Sequence, residues 1–232
     1  ASYHIFLLCP DGLDTRQIDE YGSFRKARFS LRHFHGIDSY SRLLLNVEFY
    51  KRFIDYEYLL IYQLDAFVFS DELEYWSGLG YDYIGAPWFG KYWPEKLMSH
   101  AKKRMSVSEP AWMKWHRALR KIGVGYKNDN LVGNGGFSLR KVKSALRVLE
   151  LMPHQAEAFP WNEDCFWGVF VPNSYLGFRK PDRKLASYFA LELEPLAAVE
   201  RNEGKMPFGC HGWERWALDF WRPHIQAFGH QI

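Results

Sequence analysis

A run of aromatic and aliphatic residues that ends in a carboxylate places the first constraint on how this chain folds. Residues 58–62 read Tyr-Leu-Leu-Ile-Tyr, Gln63, Leu64 and Asp65 follow, and residues 66–69 are apolar again. The run predicts a buried strand, and a carboxylate at the end of a buried strand is costly unless another group compensates it. Ligands bind at the carboxyl ends of strands in open α/β sheets. Asp65 is therefore a candidate metal or ribose ligand; the alternative is a carboxylate that caps the next turn or pairs with an arginine.

Strand and helix patterns alternate along the rest of the chain. The hydrophobic pattern predicts strands at residues 4–9, 81–86 and 131–140, a strand or turn at 208–211, and helices at 41–54, 71–76, 142–151, 163–171 and 214–221. Such alternation predicts an α/β fold, and 232 residues suit one large domain spanning residues 1–232. Residues 89–130 show no clear period, and we interpret them as a variable insertion.

Composition excludes several classes of protein. A net charge of +3 does not indicate a nucleic-acid partner recruited by charge, and no apolar run approaches the length of a membrane span. Three widely spaced cysteines make neither a disulfide framework nor a zinc site. We interpret them as buried thiols of a reducing, cytoplasmic protein. The Lys102-Lys103-Arg104 cluster fits a weak peripheral membrane contact and fits a solvated loop equally well.

A glycine-rich segment interrupts the strand pattern at residues 131–140. Gly133, Asn134, Gly135 and Gly136 stand in succession, and glycines inside a strand pattern mark a close approach of the backbone to a ligand or to another segment. The spacing fits neither a Walker loop nor a dinucleotide fingerprint. The segment is interpreted as a substrate-facing loop, with a bulge or tight turn as the alternative.

Two further candidates lie later in the chain. Glu163 and Asp164 are adjacent acids; a carboxylate near a sugar hydroxyl serves as a general base, although acids are also favoured at a helix N-terminus without any catalytic role. His211 stands between glycines and before a tryptophan. Imidazole is a common metal ligand, and a structural histidine is the alternative.

The order of these features resembles the core of GT-A-type glycosyltransferases, and more closely a little-characterised, mainly bacterial glycosyltransferase-like family. The matching segments cover most of the chain outside residues 89–130, and they read LIYQLD at 60–65, YDYIGAPW at 81–88, GNGGFSLR at 133–140, ED at 163–164 and PFGCHG at 207–212. The resemblance implies a GT-A-like, Rossmann-type mixed sheet flanked by helices. The chain enters its first predicted strand almost at once, so we expect the family's first strand to be missing and the chain to belong to a longer, multidomain protein.

The resemblance also implies an activity, transfer of a sugar from a nucleotide-sugar donor, expected to be a UDP-sugar, to a hydroxyl of a glycan, with inversion. It assigns Asp65 and His211 to Mn²⁺ or Mg²⁺, and Gln63 and Asp65 to the donor. Asp164 becomes the base, with Glu163 supporting it or contacting the acceptor. The resemblance assigns acceptor binding to residues of the glycine segment and to two tryptophans, namely Asn134, Gly135, Gly136, Trp88 and Trp161.

One departure from the family pattern keeps other functions open. Gln63 stands where Asp-x-Asp has its first carboxylate, so metal binding is expected to be weaker or absent. The first alternative is therefore a carbohydrate- or nucleotide-binding module that has lost catalysis. A metal-dependent hydrolase or nucleotidyltransferase is the second.

Overall fold

The structure is a computed structural model that describes residues 3–89, 131–173 and 177–232. Most of the predicted insertion, including the Lys102-Lys103-Arg104 cluster, lies outside these residues. The strands are β1 Phe6–Pro10, β2 Arg25–Phe29, β3 Tyr58–Tyr62, β4 Ala66–Val68, β5 Tyr83–Ile84, β6 Ala86–Pro87, β7 Val132–Gly133, β8 Phe137–Lys141, β9 Ala190–Leu191 and β10 Gly209–His211.

Helices separate most of these strands. They are α1 Arg16–Asp19, α2 Ile37–Leu44, α3 Val47–Arg52, α4 Leu73–Gly78, α5 Val142–Leu151, α6 Pro153–Glu157, α7 Glu163–Cys165, α8 Arg183–Phe189, α9 Pro195–Arg201, α10 Trp213–Trp216 and α11 Leu218–Gln226. A 3₁₀-helix covers Leu31–His33 and a π-helix covers Phe166–Phe170. The described residues form a mixed α/β structure, which is compatible with the predicted α/β class. Within the described residues, no helix combines the length and the apolar character that crossing a membrane requires.

The strands form four small sheets within the described residues, with both parallel and antiparallel pairs. β1 pairs parallel with β2, and β6 pairs antiparallel with β7. β8 lies between β3 and β5, antiparallel to both. β10 lies between β4, which is antiparallel, and β9, which is parallel.

The strand registers bring distant parts of the sequence together. Tyr62 at the end of β3 is opposite Phe137 at the start of β8, and the Gln63 amide donates to the Gly136 carbonyl at 2.8 Å. Ala66 of β4 is opposite His211 of β10, and the Gly212 amide donates to the Asp65 carbonyl at 2.9 Å. The acidic strand end, the glycine segment and the late histidine therefore share one end of the sheets.

Strand β8 has two different buried faces. Phe137 and Leu139 point into an apolar cluster that also contains Trp76 and Phe208. Ser138 and Arg140, on the other face, are equally inaccessible to water. Burying a large apolar side chain contributes about 1.5–3 kcal/mol, so the apolar face holds β8 in register while the polar face carries a buried hydrogen-bond network.

The structure divides several elements that the sequence pattern joins. The predicted helix 41–54 is two helices, because Leu45 ends α2 and the Asn46 side chain accepts from the Glu48 amide at 2.8 Å to begin α3. The predicted strand 131–140 is broken at residues 134–136, and the predicted helix 214–221 is α10 and α11, which meet at Ala217.

The predicted helix 163–171 begins as α7 and continues as a π-helix. The carbonyls of Trp167, Gly168 and Val171 accept hydrogen bonds from Lys180 Nζ at 2.7–3.2 Å. Burial lowers the pKa of Lys180 to about 7. This amine therefore satisfies backbone groups that the wider π-turn leaves available.

Candidate functional site

Asp65 and His211 meet at the end of β3 and β10. His211 Nε2 lies 3.2 Å from Asp65 Oδ1 and 3.2 Å from Gln63 Oε1. The Asp65 side chain is 44 % exposed and the His211 side chain 14 % exposed, so the imidazole is largely shielded while the carboxylate reaches solvent. The two groups assigned to the donor and metal by resemblance are thus neighbours, although they are 146 positions apart in the chain.

Each glycine of the 133–136 segment makes room for a large side chain. A Cβ on Gly136 would lie 1.9 Å from His211 Nε2, and one on Gly135 would lie 2.8 Å from Glu163 Oε1. A Cβ on Gly133 would meet the Trp88 ring at 1.9 Å. The close approach expected from the sequence is therefore to side chains of the protein, and two of these side chains belong to the candidate site.

Asn134 holds the turn between β7 and β8. Its φ of 100° lies in the left-handed region, where asparagine is better tolerated than most residues. Asn134 Oδ1 accepts from the amides of Gly136 and Phe137, both at 3.1 Å. Asn134 Nδ2 is buried without a hydrogen-bond partner, so this amide has a donor left for a ligand or a water molecule.

Asp164 is tied to this turn. Its Oδ2 accepts from the Asn134 amide at 3.1 Å and its Oδ1 from the Cys165 amide at 2.8 Å. Burial, followed by the nearby charge of Glu163, raises the pKa of Asp164 to about 6 in spite of these two hydrogen bonds. A carboxyl group with this pKa is ionised at neutral pH and is still basic enough to accept a proton.

Glu163 occupies a different environment from its neighbour. It is 2 % exposed, its Oε1 accepts from Arg140 Nη2 at 2.9 Å, and its Oε2 accepts from Ser41 Oγ at 3.0 Å. Arg140 is itself fully buried and also donates to Tyr50 Oη at 3.3 Å. Of the two roles predicted for Glu163, support of the site fits this placement better than direct contact with an acceptor.

Glu192 belongs to the same group of side chains and was not predicted. Its Oε1 lies 3.4 Å from His211 Nδ1, on the opposite side of the ring from Asp65. Burial alone would lower the pKa of His211, but Glu192, Asp65 and Asp164 outweigh burial and raise it. The sequence did contain a signal for Glu192. This acid directly follows the short apolar segment of β9, just as Asp65 follows the apolar run of β3.

Tyr40 forms a hydrogen bond with Gln63. Burial, and next the charge of Glu163, raise the pKa of Tyr40 to about 12, against smaller opposing effects of the Arg140 charge and of the hydrogen bond with Gln63. The phenol is therefore neutral at physiological pH and serves as a hydrogen-bonding group. Tyr40 and Ser41 both belong to α2, so this helix forms one border of the site.

Trp88 and Trp161 are both packed against the protein. Trp88 covers Gly133 and packs against a buried apolar cluster that includes Val132 and Trp167. Trp161 makes an edge contact with Phe159 at 5.7 Å between ring centroids. Both rings remain partly exposed. Their role in binding a sugar stays a prediction.

Binding of a divalent cation depends on which oxygen and nitrogen ligands converge at the site. Residues 3–89, 131–173 and 177–232 contain no group of three or more His, Cys, Asp or Glu side chains arranged to hold a metal ion. Asp65 Oδ1, Gln63 Oε1 and His211 Nε2 nevertheless converge. Mg²⁺ is often held by one or two carboxylates together with substrate phosphates, and these residues fit such a site if a diphosphate supplies the remaining oxygens.

Comparison with known proteins gives a family without an assigned activity. No curated protein and no solved structure matches the chain. One family model, described as a protein of unknown function (DUF5672), matches residues 23–211. This match runs from just before β2 to the end of β10 and includes every residue of the site described above. The chain therefore belongs to the DUF5672 family.

Proposed function

We propose that this chain is a glycosyltransferase of GT-A-like arrangement, which transfers a sugar from a nucleotide-sugar donor, with UDP-sugars the first candidates, to a hydroxyl of a glycan. The observation that carries the proposal is the convergence of Asp65 and His211 at 3.2 Å beside the turn that holds Asp164. An acidic strand end and a histidine on one side, and a buried carboxylate of raised pKa on the other, are the groups that such a transfer needs.

Asp164 is the proposed general base. It accepts the proton of the acceptor hydroxyl while the hydroxyl oxygen forms a bond to the anomeric carbon of the donor sugar. The bond between that carbon and the diphosphate oxygen breaks, and the nucleoside diphosphate leaves with the electron pair. A single displacement of this kind inverts the anomeric configuration.

The diphosphate end of the donor is assigned to Asp65, Gln63 and His211. A divalent cation bound there would neutralise the negative charge that develops on the leaving diphosphate. Among the described residues, Asp65, Asp164 and Glu192 border the site while Arg140 is paired with Glu163, so a cation would also balance these negative charges. An anionic donor without a cation would be repelled by these carboxylates.

The Asn134 turn is assigned to the acceptor. The Asn134 amide fixes Asp164, and the buried Asn134 Nδ2 still has a hydrogen bond to make. Gly135 and Gly136 bring this backbone against Glu163 and His211, so an acceptor held at the Asn134 turn would lie near both Asp164 and the donor site.

The test is donor turnover by the purified chain. It is incubated with UDP-, GDP- and dTDP-sugars and with mixed oligosaccharide acceptors, in Mn²⁺ or Mg²⁺, and the nucleoside diphosphate released is measured. General-base catalysis contributes about 10²–10⁴-fold, so Asp164→Asn should reduce the rate by that factor. Asp219→Asn, at an exposed position in α11, is the matched control and should leave the rate unchanged.

A binding module without catalysis is the second candidate, and Gln63 favours it. Gln63 Oε1 contacts His211 Nε2 at 3.2 Å in the place where a carboxylate would strengthen metal binding. Saturable binding of a nucleoside diphosphate, with no turnover of any donor, would support the binding module and contradict the transferase. Release of inorganic phosphate or of a sugar phosphate would instead indicate a hydrolase or nucleotidyltransferase.

A further inference from the structure

We propose that Glu192 is a positioning residue, which holds the Nδ1 proton of His211 and so keeps the imidazole turned with Nε2 toward Asp65 and Gln63. The consequence for cation binding rests on the proposed function, whereas the contact itself does not. Glu192 would then act on the donor site through His211, without touching the donor.

The strand register places Glu192 where this role requires it. β9 and β10 are parallel, and Leu191 is opposite Cys210. Glu192 directly follows the end of β9 and His211 is the last residue of β10. Each is therefore one position beyond the last pair of this register, which brings the two side chains next to each other. Gly212, which follows His211, has a φ of +63°, and its Cβ position is 3.8 Å from Glu192 Oε1. The turn after β10 therefore closes next to the carboxylate.

The surroundings of the ring leave Glu192 as the partner of Nδ1. Within the described part of the chain, Nδ1 is buried and forms no hydrogen bond of good geometry. Glu192 Oε1, at 3.4 Å, is within ion-pair distance of it. A buried N–H without an acceptor is costly, so a small rotation that shortens this contact is favourable.

The contacts of Nε2 show how the contact between Glu192 and Nδ1 would affect the donor site. Nε2 faces Asp65 and Gln63 at 3.2 Å each, and Gly136 leaves the space that the ring edge fills. A cation bound at Nε2 would displace the proton there, and the ring would keep only its Nδ1 proton. An acceptor on Nδ1 fixes that tautomer and raises the basicity of Nε2, which is how histidine ligands are commonly supported.

The contact is tested first without any metal. In ¹⁵N-labelled protein at about pH 6, near the usual imidazole pKa of about 6.5, His211 should show a slowly exchanging proton on Nδ1, assigned by its absence in His211→Asn. Glu192→Leu should abolish this signal. Glu192→Gln, which keeps a carbonyl acceptor, should retain it, and Glu200→Gln at an exposed position of α9 is the control. Absence of the signal in the wild type, or its persistence in Glu192→Leu, overturns the proposal.

The effect on the cation is measured separately, by titrating Mn²⁺ and following free Mn²⁺ by electron paramagnetic resonance. Loss of such a supporting partner costs about 10–100-fold in metal affinity, so Glu192→Leu should weaken Mn²⁺ binding by this factor and Glu192→Gln by less. Unchanged affinity in Glu192→Leu contradicts the supporting role. If the wild type binds no Mn²⁺, the cation site of the proposed function is contradicted. The Nδ1 proton signal would still test whether Glu192 positions His211.

Discussion

Gly136 connects the backbone of the glycine segment to the imidazole of His211. A Cβ at this position would lie 1.9 Å from Nε2, well inside van der Waals contact, and the ring is confined by Asp65 and Glu192. Gly136→Ala should therefore displace the ring or the turn, and overpacking of this kind costs about 1–3 kcal/mol. Urea denaturation should show this loss in the free energy of unfolding, together with weaker Mn²⁺ binding.

The matched control for Gly136→Ala is Gly78→Ala at the end of α4. No atom lies within 4 Å of the Cβ position of Gly78, and alanine has the higher helix propensity. This variant should be neutral or slightly more stable. If both variants unfold at the same urea concentration as the wild type, His211 does not depend on the space at Gly136.

The raised pKa of Asp164 leads to a prediction on pH dependence. A general base acts in its ionised form, so kcat/KM should increase with pH through about 6, the pKa of Asp164, and level off above it. The residual activity of Asp164→Asn should not show this increase of kcat/KM with pH. A profile that is flat between pH 5 and 8 in the wild type would assign the base to another group.

At the scale of elements, the buried ion pair of Arg140 and Glu163 joins β8 to α7. Removing one member of a buried pair leaves an uncompensated charge and costs about 3–5 kcal/mol. Arg140→Met should therefore lose about this much in the free energy of unfolding, measured in urea, because Glu163 stays buried. Replacing both residues, as Arg140→Met with Glu163→Leu, should recover part of the loss.

The exposed pair of Glu48 and Lys51 on α3 provides the comparison. Its atoms are 3.1 Å apart but both side chains are at least half exposed, and such pairs contribute about 0–1 kcal/mol. Lys51→Met should change stability by no more than that. Equal losses in Lys51→Met and Arg140→Met would show that burial of the Arg140 pair has no energetic consequence.

Elements with a strong apolar pattern were predicted well, and those whose partners lie elsewhere were not. β3 and α5 have the bounds that their sequences predict. The prediction that β3 is a buried strand is wrong, because only Ile61 of its five residues is buried and Tyr62 is exposed. β2 was missed because Arg25–Phe29 has charges at three of five positions and buries only Ala27, and its pairing with β1 is made by backbone groups. Residues 131–140 were predicted as one strand that carries the glycine segment, with a bulge or tight turn as the alternative to a substrate-facing loop. The structure has a turn there, and its exact position depends on the side chain of Asn134.

At the scale of the whole molecule, the sequence predicted only part of the candidate site. The reason is the same: a local pattern is visible in a sequence, whereas a partner elsewhere in the chain is not. Asp65 was identified as an acid at a strand end, Asp164 as one of two adjacent acids, and His211 by the glycines that flank the Cys210-His211 pair. Arg140 and Ser41 were not identified as partners of Glu163, since a pairing across 23 or 122 positions exists only in the folded chain. Their side chains, in a strand and a helix, carry no local signal.

Because the site is assembled from distant segments, a ligand that binds there must stabilise the folded chain as a whole. Asp65 follows β3, His211 ends β10 and Asp164 lies in α7, so the unfolded chain has no such site. At a ligand concentration of about 100 Kd the gain is about 2.7 kcal/mol, which for a chain of this size is an increase in Tm of about 5–11 °C. UDP, GDP or dTDP with Mn²⁺ should produce this shift, and neither the nucleotide nor Mn²⁺ alone should match it, since each completes the binding site of the other. Asp65→Asn should lose most of the shift while Asp219→Asn keeps it, because only Asp65 lies beside His211. An equal shift in both variants would place the nucleotide elsewhere on the molecule, and with it the donor site.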